Sequence, residues 1–114
     1  MTYEDVNNMT EELLIPSAYW EFNDQTEIAP PFSVFWFPQD NDFIADNENY
    51  QKISTLVWEI YTDYKDFSLE ADAERILKTH GLVWAKTEDY DDSQRLHMTR
   101  YTCDLVITEG QNNE

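Results

Sequence analysis

The spacing of hydrophobic positions along this chain switches between helical and strand periods, and the switches lay out its elements. Over residues 3–14, Tyr3, Val6, Met9 or Thr10, Leu13 and Leu14 recur every three to four residues, the mark of an amphipathic helix. Thr2 is placed to cap it, Glu4 and Asp5 suit the positive end of its dipole, and Pro16 bars its continuation. A short strand is expected from Ser17 to Phe22. A polar loop, Asn23–Pro31, follows and closes on a Pro-Pro pair that enforces extended backbone. Phe32–Phe37 reads as a strand so aromatic that both faces need cover, at least after assembly, and Pro38 ends it. Gln39–Asn49 is acidic and reads as a turn or loop. From Tyr50 to Thr62 the period is two, with Leu56, Trp58 and Ile60 on one face and Val57, Glu59 and Tyr61 on the other. Helical spacing returns near Asp66 or Ser68, either of which can cap. Leu69, Ala73, Ile76, Leu77 and His80 form the apolar stripe, and Gly81 stands just past its end. Two last strands, Leu82–Glu88 and Gln94–Thr108, are joined by an acidic turn, Asp89–Ser93. In the second, Tyr101, Cys103, Leu105 and Ile107 alternate with Arg100, Thr102 and Asp104.

The order is helix, two strands, a long strand, helix, hairpin. It predicts an α+β two-layer sandwich: an antiparallel or mixed sheet of four to five strands packed by two helices. A length of 114 residues supports one core, so residues 1–108 are expected to form a single domain, with 109–114 a flexible tail. Hydrophobic content of 41% is too high for disorder through the middle of the chain. Acidic residues outnumber basic ones 24 to 7, and the resulting charge of −17 repels nucleic acid and anionic membrane. The single cysteine precludes an internal disulfide and fits a reducing compartment. No run reaches the roughly 20 apolar residues that span a bilayer, and the acidic N-terminus is unlike a signal peptide. A soluble protein synthesised in the cytoplasm is expected.

Little in the chain points to chemistry. A nucleophilic triad needs a Ser or Cys beside a His and an orienting carboxylate, and only His80 and His97 are available. His80 lies on the apolar stripe at a helix C-terminus, where a cap or core role accounts for it. His97 reads as a solvent-facing strand residue. Cys103 alternates with core positions and reads as a small hydrophobe. Two glycines are too few for a phosphate-cradling loop. The acidic stretch holding Asp40, Asp42, Asp46 and Glu48 has the oxygen ligands of a calcium loop but not its frame. It places Ala45 and Gln51 where such a loop needs Gly and Glu. No catalytic residue, cofactor or metal ligand is therefore expected.

The runs IPSAYWEF, PPFSVFWF, IADNENYQKI and EIYTDYKD, followed by a helix and VWAKTEDYDDSQRLHMTRYTCDLVI, together resemble a family of small proteins from tailed phages and prophages of Gram-positive bacteria. These look like tail terminator, or tail-to-head joining, proteins. The likeness covers roughly residues 12 to 107. It departs from the family at Phe67, where relatives often open the helix with proline, and in the acidic N-terminal helix and tail. It implies a structural protein of the virion neck that forms a ring, usually hexameric, on the finished tail tube. Such a ring stops tube growth and presents a docking surface for the head. The implied partners are further copies of the chain, the major tail tube protein and a head-tail connector or stopper protein, with DNA passing through unbound. On that reading Trp20, Phe35, Trp36, Phe37 and Phe43 are interface candidates, because aromatics concentrate at interface cores. The competing place for each is the monomer core. Asp40, Asp42, Asp46 and Glu48, or Glu4, Asp5, Glu11 and Glu12, are candidates for a lumen that repels phosphate; ordinary solvated faces are the alternative.

Two other readings stand beside this one. A head-completion or stopper subunit would occupy the same ring stack. An acidic DNA mimic would need carboxylates spread over one elongated face, whereas here they are scattered among core-patterned strands. An enzyme is the weakest option, for want of a nucleophile, base and orienting group.

Overall fold

A computed structural model describes residues 1–19, 28–38, 40–42 and 52–107. The expected extension of the first strand to Phe22, most of the loop Asn23–Pro31, and the tail 109–114 lie outside the described residues, as do Trp20, Phe43, Asp46 and Glu48.

The first helix, α1, spans Tyr3–Glu11 and opens on a capping box. The Asp5 amide donates to Thr2 Oγ1 (3.0 Å) and the Thr2 amide donates to Asp5 Oδ2 (2.9 Å). It ends a turn earlier than the apolar spacing predicts. Leu14 takes a left-handed φ of 64° and points into solvent, so the chain turns out of the helix before Pro16 is reached. The strands β1 (Ser17–Tyr19) and β2 (Phe32–Trp36) pair in parallel. Three hydroxyls tie them to α1: Ser33 donates to Ser17, Ser17 to Thr10, and Thr10 to the carbonyl of Asn7. Thr10 and Ser33 are fully buried, so this relay satisfies groups that would otherwise be costly.

Asp40–Asp42, expected in a turn or loop, is a short strand, β3, antiparallel to the long strand β4 (Lys52–Thr62). The acidic sequence hides it, because its side chains lack the alternation that marks a half-buried strand. Asp66 caps the second helix, α2 (Phe67–Thr79), by accepting from the Leu69 amide at 3.0 Å. Gly81 follows with φ of 77°, the left-handed conformation that ends helices at low cost. The final hairpin joins β5 (Trp84–Asp91) to β6 (Leu96–Ile107). Its turn lies three residues beyond the expected start: Asp91 Oδ1 accepts from the Ser93 amide and hydroxyl and from the Gln94 amide, and Arg95 closes the turn at φ 57°.

Among the described residues the mixed sheet has six strands, in the order β1-β2-β4-β6-β5 with β3 paired to β4 off this path. It exceeds the expected four to five strands by β3. Both helices cover one face. Val6, Met9 and Leu13 from α1 and Ala73, Ile76 and Leu77 from α2 join Phe35, Leu56, Trp58, Ile60, Tyr101, Cys103, Leu105 and Ile107 in a single core. The architecture is therefore α+β, a sheet packed by two helices. Register sets this face, since Phe35 lies opposite Trp58 and Trp58 opposite Tyr101. Trp58 and Tyr101 are fully buried with ring centroids 6.3 Å apart, and burying a side chain of this size stabilises the fold by about 1.5–3 kcal/mol.

Candidate functional site

Exposed apolar side chains lie near both edges of the sheet, as well as on its central strands at Ile53 and Val106 and in the connections at Leu14 and Val83. At the β1 edge, α1 and the strand ends enclose a groove of about 430 Å³ lined by Tyr3, Glu4, Asn7, Tyr19, Phe35 and Phe37. Its walls are aromatic. Tyr3 meets Phe37 edge-on at 5.0 Å, and Tyr19 meets Phe35 edge-on at 5.4 Å. Tyr19 is 55% exposed. At the opposite edge, β5 is exposed along almost its whole length and carries Tyr90 on its surface. Lys65, on the loop before α2, is ion-paired to Glu88 of β5, and its near neighbours in the chain, Tyr64 and Phe67, are exposed.

Of the aromatic residues proposed as interface, the structure brings Phe35 and Phe37 together at the groove and sets Trp36 on the other face of the sheet, opposite Val57. Phe35 is 2% exposed and belongs to the core, so it forms the groove's floor and is not available to a partner. Trp20 and Phe43 are outside the described residues. Tyr3 and Tyr19, absent from the predicted set, complete the groove; the signal for Tyr3 was its place on the apolar face of α1. Among the acids, Asp40 and Asp42 are the ends of β3, paired in register with Ser54 and Lys52. Asp46 and Glu48 are outside the described residues.

A charged cluster lies where α2 crosses β5 and β6. Glu70 is buried, and its Oε1 accepts from Lys65 (2.9 Å) and Lys86 (2.8 Å). Lys86 also meets Glu74 (2.8 Å), Thr99 donates to Glu70 Oε2 (3.2 Å), and the Tyr101 hydroxyl donates to Glu74 (2.9 Å). Burial pushes the Glu70 carboxyl upward, but the hydrogen bonds from Lys86 and Lys65 outweigh it and hold the carboxyl below its ordinary range. For Lys86 burial acts downward, and hydrogen bonds to Glu70 and Glu74 prevail and hold it protonated. Burial, then the bond to Glu74, pushes the Tyr101 hydroxyl far up.

His97 belongs to this cluster, which corrects its reading as a solvent-facing residue. Its side chain is 13% exposed, and Nε2 stands 3.1 Å from Glu88 Oε1 and 3.8 Å from Glu70 Oε2. The signal was parity: His97 shares the odd numbering of Tyr101 and Cys103 on β6, which faces the helices. His80 ends α2 as its C-cap, and its Nε2 lies 2.8 Å from Glu12, clasping α2 to the end of α1.

On the face without helices, Glu59 is buried. It accepts from Arg100 Nε at 2.7 Å and from the Tyr61 hydroxyl at 2.6 Å, while Tyr61 stacks on Phe32 at 5.0 Å. Cys103 is buried, and that burial, with Asp104 adding to it, pushes its thiol up to about 11. It stays protonated at neutral pH and is a poor nucleophile. No helix among the described residues is long and apolar enough to cross a membrane.

No model of a known protein family matches this chain, and no curated protein is significantly similar to it.

Proposed function

We propose that this chain is a structural subunit of a tailed-phage neck, a tail terminator that assembles as a ring on the tail tube. The observation that carries the reading is the pair of dissimilar apolar surfaces at opposite edges of one sheet: the Tyr3–Tyr19–Phe37 groove, and the Tyr64, Phe67 and Tyr90 projections beside β5. Unlike surfaces on opposite edges meet head to tail. Repeated around an axis, such contacts give a ring where the rotation closes and a filament where it does not, rather than a two-fold dimer; a tube end of fixed symmetry supplies the closing rotation. The order of sequence motifs supports the same reading. The charge of −17 fits a tube end through which DNA passes, and it keeps free subunits apart until a tube supplies the contacts that offset repulsion.

The test is capping of growing tail tubes by purified protein. Tyr19→Asp and Phe67→Asp each place a charge in one of the two surfaces at an exposed position. Each variant, once its circular dichroism shows a native fold, is expected to leave tubes uncapped and lengthening, whereas the wild type arrests them. Arrest by both variants at the wild-type protein concentration would overturn the assignment of these surfaces. Failure of the wild type to arrest tubes would overturn the function itself.

A further inference from the structure

The charged cluster has an asymmetry that its ion pairs leave unresolved. Glu70, Glu74 and Glu88 face two ammonium groups, Lys65 and Lys86. His97 Nε2 points into the same space, is buried, and makes no hydrogen bond. Its 3.1 Å approach to Glu88 is out of line for one. A bare lone pair at this nitrogen would face two carboxylates, an arrangement that favours a cation there.

We propose that Glu70, Glu88 and His97 form a binding site for a divalent transition-metal ion of the zinc type, with His97 Nε2, Glu88 Oε1 and Glu70 Oε2 as its ligands. These residues come from α2, β5 and β6, and their ligand atoms all lie within 4.8 Å of one another. The His97 separations of 3.1 and 3.8 Å bracket the roughly 3.4 Å expected between ligands about 2 Å from a tetrahedral ion. One imidazole and two carboxylates suit zinc. Calcium would seek six or more oxygens, and magnesium a full octahedron.

Outer contacts already orient the ligands. Lys86 holds Glu70 Oε1, and Thr99 donates to Oε2 and so orients that oxygen, the proposed ligand, toward His97. Glu88 is 41% exposed, which leaves solvent access for a fourth ligand. Lys65 is the built-in competitor. Its ammonium bridges Glu70 and Glu88, and its side chain is 31% exposed on the loop before α2, free to swing into solvent when an ion enters. The site would then staple the first turn of α2 to both strands of the final hairpin, whatever the assembly to which the chain belongs.

The experiment is calorimetric titration of the full chain with zinc at neutral pH, with the His97 ring nitrogens followed by NMR. One zinc per chain is expected, with the Nε2 resonance shifting on binding, while calcium at the same concentration leaves that resonance unmoved. His97→Gln should weaken binding about a hundredfold or more, because even outer-shell losses cost 10–100-fold. His80→Gln, which touches only the Glu12 pair, should bind as the wild type does. Lys65→Met, which removes the competitor, should tighten binding about tenfold, whereas a purely structural ion-pair network would give weaker or unchanged binding. An unmoved Nε2 resonance, or unchanged affinity in both His97→Gln and Lys65→Met, would overturn the site. If His97→Gln fails to fold, the Lys65→Met result and the Nε2 resonance decide it.

Discussion

Leu14 holds a left-handed backbone, φ 64°, with 89% of its surface exposed, so it bears strain and gains little burial in return. For an L-residue that conformation costs about 1–2 kcal/mol, and glycine avoids it. Leu14→Gly is therefore expected to raise stability by about 1 kcal/mol in chemical denaturation; a loss of stability would show that the Leu14 side chain is needed in the monomer. The same residue marks a limit of periodicity. Leu14 continues the apolar spacing of Val6, Met9 and Leu13, and nothing in that spacing distinguishes the last core residue from the first one past the helix end. Thr2 and Asp66 were legible as caps because side-chain oxygens at helix starts act locally. His97, read as solvent-facing, shares its parity with Tyr101 and so belongs to the helix-covered face, but the partners it meets on α2 and β5 depend on packing between distant segments. Tyr19 was hidden for the same reason: its groove needs α1 and β2 beside it.

At the scale of elements, α2 is fastened to the sheet by its apolar stripe and, at the final hairpin, also by Glu70, whose buried carboxylate gathers Lys65, Lys86 and Thr99. Glu70→Gln is expected to cost about 2–3 kcal/mol at neutral pH, the scale of hydrogen bonds to a charged group. The pH dependence follows from the direction of the shift. The folded carboxyl titrates below its ordinary value of 4.5, so its contribution is present above 4.5 and is lost as pH falls through the lower folded value. Lys65 and Lys86 titrate above 10.5 in the fold, so their part is complete below 10.5 and is lost as pH rises through the raised folded values. Denaturation midpoints followed from neutral pH into acid should fall more steeply for the wild type than for Glu70→Gln; superimposed acid limbs would contradict the cluster's role. The two helices, β4 and β6 were legible because their periods are sustained. β3 was not, since three acidic and amide side chains carry no period and its pairing is a backbone property. The β5–β6 turn slipped because Asp89–Ser93 is the richer stretch in turn formers, yet cross-strand register carries pairing through Asp91 and leaves the turn to Asp92–Arg95.

The whole molecule is a strongly acidic sheet with helices on one face and unlike apolar surfaces at its two edges. Composition gave the charge and the aromatic surplus. It could not say that the surplus divides among a closed core, the open face at Phe32, Trp36 and Tyr61, and the two edges, because that division is set by strand order and register. The proposed neck role would use both halves of the arrangement: a core that folds the monomer, and edges that remain apolar until assembly covers them. The role is read most directly by electron microscopy of particles produced with and without this gene, scoring tail length and head attachment. Overlong, headless tail tubes in its absence are the predicted result. Tails of normal length, whether beside emptied heads or on intact particles, would contradict tail termination and move the protein out of that position in the neck.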